Sequence, residues 1–508
     1  MNFALSRLSC ACALGRDNAE VYAGWRSGSS SGMVEIEGDI PSRKILFGLV
    51  PGELPPVAVA DPEFDFRSCR LLELAVANAE GAFEALVEKY GPSRVAVVLG
   101  ASNTGIDEAE DNVDRWLDEG AKPASFHFSQ IELGTPADYL ARRIGATGPS
   151  YVVSTACSSS TKAFASARRL IESGVVDAAV VGGVDGRCRF AMNGFHALGA
   201  LSQGLCRPFA EDRDGINLGE GVALFAMERV EAAPDAPVLL SGSGESSDAY
   251  HATAPDPEGR GAETAMRAAL EDAALPPSAI AYVNLHGTGT LANDSMESAA
   301  AARVFGSFDP ARMVSTKSMT GHCLGSAGAV EAALCWLGIA HGDFFTALSN
   351  SFAFGGSNAS VVFTANPIPY IPHRPPMVLL DAVVSFNAAT SSVCTAFTAR
   401  DPWLAPTASI EYMAQTAACL AGMGDRLHDP AAQQRPGLLL GTRRLDLPSA
   451  AFEPGRRHFV RATCVFSDSG AASFDCSIAE SPDGAPLASA VLNAYRPKDF
   501  RAFLTENV

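Results

Sequence analysis

"STACSSSTKAFASARRLIESGVVDAAVVGGVD", residues 154–185, carries the reading of the fold. Its stretch 159–174 repeats apolar residues at helical spacing and stops at Gly174, which suits the position just past a helix end. "DAAVVGGVD" (177–185) then reads as a buried strand running into glycine. "RVAVVLGAS" (94–102) reads the same way upstream, and "IAYVNLHGTGT" (280–290) and "SVVFTA" (360–365) add two strands downstream. "GAETAMRAALEDAAL" (261–275) is a second helix. Buried strands alternating with helices imply a layered α/β architecture. At the head of the quoted stretch, Cys157 sits among small and hydroxyl side chains, either as a buried thiol or as a nucleophile.

The bulk numbers set bounds. A chain of 508 residues with 47% hydrophobic composition has material for roughly two to four domains. Its 46 glycines and 31 prolines are spread along the chain, as in a folded globular protein. The twelve cysteines show no paired spacing, and "CAC" (10–12) fits neither a zinc site nor a disulfide framework. Reduced thiols in the cytoplasm follow. A net charge of −19 argues against nucleic acid, whose phosphates demand a basic face, and leaves small-molecule and protein partners open. No run approaches the ~18–20 continuous apolar residues of a membrane span. "MNFALSRLSCACALG" carries Arg7 inside its apolar run and reads as a first strand ending at Gly15.

Two further stretches bear on Cys157. "LHGTGT" places His286 at a strand end before glycines that admit a substrate to the backbone. "STKSMTGHCLGSAGAVEA" (315–332) places Lys317 and His322 five residues apart at the head of a small-residue helix. A thiol and two histidines at strand-to-loop junctions suit acyl chemistry, and a helix N-terminus behind Cys157 would lower its pKa. Each has a plainer reading: His286 as a packed strand-end histidine, Lys317 as a solvated cation, His322 as a helix-start residue. His251, in "GESSDAYHATAP" (244–255), reads as a surface or lining loop residue.

The pattern breaks at "ANPIPYIPHRPPM" (365–377), whose five prolines exclude regular helix and central strand. Beyond it "MVLLDAVVSFN" is strand-like and "TASIEYMAQTAACLAGMGDRL" (407–427) is one long apolar helix. Three stretches from "RRHFVRATCVFSD" to "PLASAVLNAYRP" then read as antiparallel strands. One helix with a curled sheet makes a separate α+β unit.

In order, "STACSSS", "CRPFAEDRDGINLGEGVALFAMER", "NLHGTGTLANDSMES", "STKSMTGHCLGSAGAVEA" and "SNSFAFGGSNASVVF" resemble the elongating β-ketoacyl-[acyl carrier protein] synthases over residues 1–365. The resemblance implies a thiolase-like fold of two βαβαβ halves, dimeric as a homodimer or with a second ketosynthase-like subunit. It implies that Cys157 carries the acyl chain, and that His286 and His322 support malonyl decarboxylation and the enolate. It implies an oxyanion site at the N–H groups of Cys157 and Phe354, with Phe354 also the gating aromatic and Lys317–Glu331 a supporting pair. Substrates would ride on the phosphopantetheine of an acyl carrier protein, with no metal and no diffusible cofactor. Arg67, Arg70 and Arg207 fall where carrier-docking cations would lie.

"PHRPPMVLLD" (372–381), "IEYMAQTAACLAG" (410–422), "RPGLLLGTRR" (435–444) and "LNAYRP" (492–497) resemble hotdog-fold 3-hydroxyacyl-[acyl carrier protein] dehydratases of the aryl-polyene type. Glu411 matches the helix carboxylate, and His373 is the nearby histidine. The loop "ARDPWLAPTASIEYMAQ", where relatives can carry the histidine, has none. The unit is therefore either an active dehydratase or a structural module. The division expected is synthase 1–365, proline-rich linker 366–376 and hotdog domain 377–508. The passage "LGIAHGDFFTALSNSFAFGG" is shorter than in relatives. A non-catalytic chain-length-factor-type subunit is the alternative; such subunits lack the cysteine that stands here at 157. A thiolase would add a second cysteine near "FAFGGSN", and a starter-type synthase would replace His322.

Overall fold

The computed structural model describes residues 2–40, 43–429 and 431–497, with Phe500 and Phe503. The strands that place the sites are β1 (Phe3–Cys12), β2 (Val95–Gly100), β3 (Ser150–Val153), β4 (Ala178–Asp185), β5 (Gly221–Arg229) and β6 (Val238–Ser247). They continue with β7 (Tyr282–Asn284), β8 (Thr346–Ala353), β9 (Ser357–Ala365), β10 (Ala382–Asn387) and β11 (Ser392–Thr398). Last come β12 (Leu438–Asp446), β13 (Arg457–Asp468), β14 (Ala471–Ala479) and β15 (Ala488–Tyr495). The helices used below are α1 (Ile106–Glu119), α2 (Ser159–Glu172), α3 (Arg189–Ala197), α4 (Arg260–Asp272), α5 (Ala327–His341) and α6 (Ala408–His428).

An internal duplication, which hydrophobic periodicity cannot reveal, organises the first part. In one half β3, β2 and β4 run parallel, followed by antiparallel β5 and β1. In the other, Met313–Val314, β7 and β8 run parallel, followed by antiparallel β9 and β6. Pairing of β1 with β6 joins the halves into one sheet. This is the thiolase-like plan. Strands buried on both faces explain why β2 and β4 read as unbroken apolar runs.

The equivalent helices α2 and α5 cross at the centre of the molecule. They approach so closely that a Cβ on Gly328 would lie 2.0 Å from Thr161 Oγ1. Thr161 and Ser351 share a hydroxyl hydrogen bond of 2.7 Å there, and the Ser160 hydroxyl accepts from the Ala329 amide at 2.9 Å. The stretch Leu324–His341 is apolar and long enough to cross a membrane, which continuous apolar runs in the sequence did not show; 83% of it is buried in this protein core.

Past β9 the chain builds a curled antiparallel sheet in the order β10-β11-β13-β14-β15-β12, wrapped on the 21-residue helix α6. That is a hotdog arrangement. Segment 366–376, expected to be a linker, is packed: Ile368 and Ile371 are buried, and the Asn366 amide donates to the carbonyls of Pro234 and Ala236. Ala365 pairs with Val383, so the hotdog sheet continues the synthase sheet. Arg457 of β13 also donates to the Ala273 carbonyl at the end of α4. The expected separate unit is thus joined to the first through backbone pairing and shared core. β12, not anticipated as a strand, and β3 stand at the two ends of the continuous order.

Candidate active sites

Cys157 does not open a helix, as the sequence suggested; it stands two residues before α2 in a tight turn after β3. Ala156 holds φ +52°, a left-handed value costly for a residue with a Cβ. The turn is held by the Thr155 amide donating to Ser159 Oγ at 2.8 Å. The expected drop in thiol pKa is also reversed. Burial pushes Cys157 up to about 11; the Lys317 cation and the N–H groups of Phe354 and Cys157 pull it down by less. The backbone N–H groups of Phe354 and Cys157 are thus the local dipoles that favour negative charge at the sulfur. Alkylation of Cys157 by iodoacetamide should therefore accelerate about tenfold per pH unit between pH 7 and 9, as the thiolate fraction does. A rate that levels off below pH 8 would contradict the raised pKa.

His286 follows β7, and its loop is tied down by a buried carboxylate. Glu297 accepts from the amides of His286 (2.8 Å) and Gly287 (2.7 Å). Lys317 Nζ donates to the His286 carbonyl at 2.5 Å, lies 3.5 Å from its Nδ1, and pairs with Glu331. Burial holds the Glu331 carboxyl up at about 6 against the pull of Lys317. His322 is placed by its amide on the Asn217 carbonyl (2.8 Å), and its Nδ1 accepts from the Leu324 amide (3.0 Å). Each Nδ1 thus faces a donor, so each neutral ring carries its proton on Nε2. Burial keeps both rings well below the ordinary histidine pKa, and Lys317 adds to it. Among the described residues His322 Nε2 has no hydrogen-bond partner, although it is buried.

One ligating atom from each of Cys157, His286 and His322 lies within 4.8 Å of the others, close enough to hold a metal ion. The surrounding hydrogen bonds oppose that use. A metal-bound imidazole donates its second N–H to an acceptor, whereas here each Nδ1 is occupied as an acceptor. The arrangement presents two N–H donors and a thiol.

They open into a cavity of about 210 Å³ lined by Phe195, Ile216, Thr288, Thr290 and Phe354. Phe354 is 37% exposed and stacks on Phe195 of α3 at 5.5 Å between centroids. Gly355 and Gly356 follow it at φ +79° and +73°, a backbone that a Cβ would strain. The expected docking cations are already engaged. Arg67 donates from Nε and Nη2 to buried Glu220 at 2.5 and 2.6 Å. Arg70 pairs with Asp65 and Arg207 with Asp212, both on the surface. His251 lies in an exposed loop.

In the hotdog unit His373 and Glu411, far apart in sequence, meet with Nε2 3.6 Å from Oε1. Burial lowers the His373 pKa and the Glu411 charge opposes this. The pair borders an apolar cavity of about 570 Å³ between α6 and the curled sheet. Ala414, Ala418 and Ala421 leave that room by filling the helix face with small side chains. Gln415, which motif reading passed over, lies one turn beyond Glu411 and touches it at 2.9 Å.

The fold and the first site define a thiolase-like condensing enzyme. Residues 68–233 and 238–349 match the beta-ketoacyl synthase N-terminal and C-terminal domains, and residues 366–505 match the ApeP dehydratase family. A chloroplastic 3-oxoacyl-[acyl-carrier-protein] synthase I from Hordeum vulgare is 34% identical over 54% of this chain and 68% of its own length. The 3-oxoacyl-[acyl-carrier-protein] synthase 2 of Staphylococcus aureus is 33% identical over 53% of this chain and 77% of its own. The solved ketosynthase ApeO, in complex with its chain length factor ApeC from Xenorhabdus doucetiae, is 38% identical. It covers 72% of this chain and 98% of its own with a TM-score of 0.67. The ishigamide ketosynthase/chain length factor is 28% identical over 72% and 98%, with a TM-score of 0.63. The chain belongs to the β-ketoacyl-[acyl carrier protein] synthase family and carries an ApeP-like dehydratase domain after the synthase part.

Proposed function

We propose that this chain condenses an acyl group held on Cys157 with a malonyl unit, and dehydrates a later 3-hydroxyacyl intermediate at His373 and Glu411. The observation that supports it most is the buried group of thiol and two imidazole donors beneath the amides of Cys157 and Phe354. In the first half-reaction Cys157 sulfur displaces the carrier thiol, and the thiol proton ends on the departing phosphopantetheine. The two amides bind the tetrahedral oxyanion. In the second, the malonyl thioester oxygen takes hydrogen bonds from Nε2–H of His286 and His322 as carbon dioxide leaves. The enolate carbon attacks the Cys157 thioester, and the sulfur regains one proton. Lys317 and Glu331 keep His286 in the donating tautomer. None of these steps uses a metal or a diffusible cofactor.

At the second site the C2–H and C3–O bonds break, C2=C3 forms and water leaves. The His373–Glu411 pair takes the proton from C2 and delivers one to the departing hydroxyl. The synthase part is residues 1–365 and the hotdog part 377–508, with the packed segment between them serving as a joint. Acyl carrier protein delivers the substrates in the cytoplasm.

A ketosynthase-like partner subunit pairs on the free edge of β3. Leu117 of α1, Phe128, Ile131 and Leu133 are exposed apolar side chains that such a partner would cover. The relatives ApeO and the ishigamide ketosynthase are each paired with a chain length factor. The test is incubation with acyl- and malonyl-carrier protein, alone and with such a partner, reading the carrier-bound product by mass spectrometry. A 3-oxoacyl product two carbons longer is expected. An unextended carrier pool in both arms would contradict the proposal.

A further inference from the structure

The carboxylate at the second site is held by a side chain that also holds the segment bearing the histidine. Gln415 is fully buried on α6 and uses both ends of its amide. Nε2 donates to Glu411 Oε1 at 2.9 Å and to the Met377 carbonyl at 2.7 Å, while Oε1 accepts from the Leu379 amide at 2.9 Å. Met377 and Leu379 lie four and six residues past His373, beyond the turn closed by the Met377 amide on the Arg374 carbonyl. One amide therefore fixes the register between that segment and the helix, and with it the 3.6 Å separation of His373 and Glu411.

The far end of the segment is anchored independently. Gln434 donates to the carbonyls of Ile368 and Pro369 and accepts from Arg374 Nη2 at 2.7 Å. Gln415 is the anchor that reaches a reacting group. An amide cannot titrate near neutral pH, so it holds Glu411 without competing for the proton that the pair exchanges.

We propose that Gln415 is the positioning residue of the dehydratase site: by donating to the carboxylate it orients Glu411 toward His373. This rests on the dehydratase reading above.

The test uses the full chain and 3-hydroxyacyl-carrier protein, comparing Gln415→Met, which keeps the volume, with wild type. The expected result is a kcat for dehydration lower by about 10- to 100-fold, the scale of a lost hydrogen bond to a charged group. KM should change little, and condensation at Cys157 should keep its wild-type rate. Gln415→Asn, whose shorter amide loses the same contact, should reproduce the effect and substitutes for Gln415→Met should that variant fail to fold. Wild type without dehydration would overturn the dehydratase reading. An active wild type alongside variants with unchanged kcat would overturn the role of Gln415.

Discussion

Cys157→Ala should stop condensation while leaving malonyl decarboxylation in place. The sulfur supplies the covalent acyl intermediate, and neither buried imidazole can replace it, because each presents an N–H to the cavity. Loss of a nucleophile that acts as part of one catalytic unit costs about 10³-fold or more in turnover. The two Nε2–H donors remain, so a malonyl thioester can still bind and release carbon dioxide, giving an acetyl product that goes no further. Removal of the small side chain in a turn held by Ser159 and Thr155 leaves the surrounding core packed. The measurement is parallel quantification of acetyl- and 3-oxoacyl-carrier protein for the variant and wild type. Continued condensation at more than a few per cent of wild type would refute the role of the sulfur.

The second large effect separates the two sites. Glu411→Gln and His373→Ala should each lower dehydration by about 10²- to 10⁴-fold, the range of a lost general acid or base. Condensation should stay at the wild-type rate in both. Both side chains are only about two-thirds buried, at 29% and 33% exposure, so neither change removes core volume. The variants should therefore melt close to wild type. If both variants dehydrate normally, the cavity beside α6 is a structural feature of the hotdog unit and the acid–base pair lies elsewhere.

These expectations show which features short stretches reveal. Gly174 and the unbroken apolar runs of β2 and β4 depend on neighbours in sequence, so α2 and its flanking strands could be read directly. His286 is legible as a strand-end residue and His322 as a helix-start residue, and the resemblance groups them with Cys157. Their tautomers were not legible, because the deciding donors are Lys317 for one ring and a backbone amide turned by a local bend for the other. The rise in the thiol pKa escapes the local sequence for a related reason. Proximity to a helix can be guessed from sequence, whereas burial by Phe354 and the two histidines needs three distant segments to converge. Arg67 likewise reads as a surface cation until Glu220, 153 residues away, is brought beneath it. The proline-rich joint looked like a linker because prolines exclude regular structure. They do not exclude burial, and Ile368 and Ile371 between them pack into the core.

The central claim is that Cys157 is the acyl acceptor of a condensing site. Its most direct test is peptide mapping of the intact chain after brief exposure to acyl-carrier protein without malonyl substrate. The account predicts one acyl group per chain, as a hydroxylamine-labile thioester on the peptide containing Cys157. An acyl group on another of the twelve cysteines, or none at all, would contradict it.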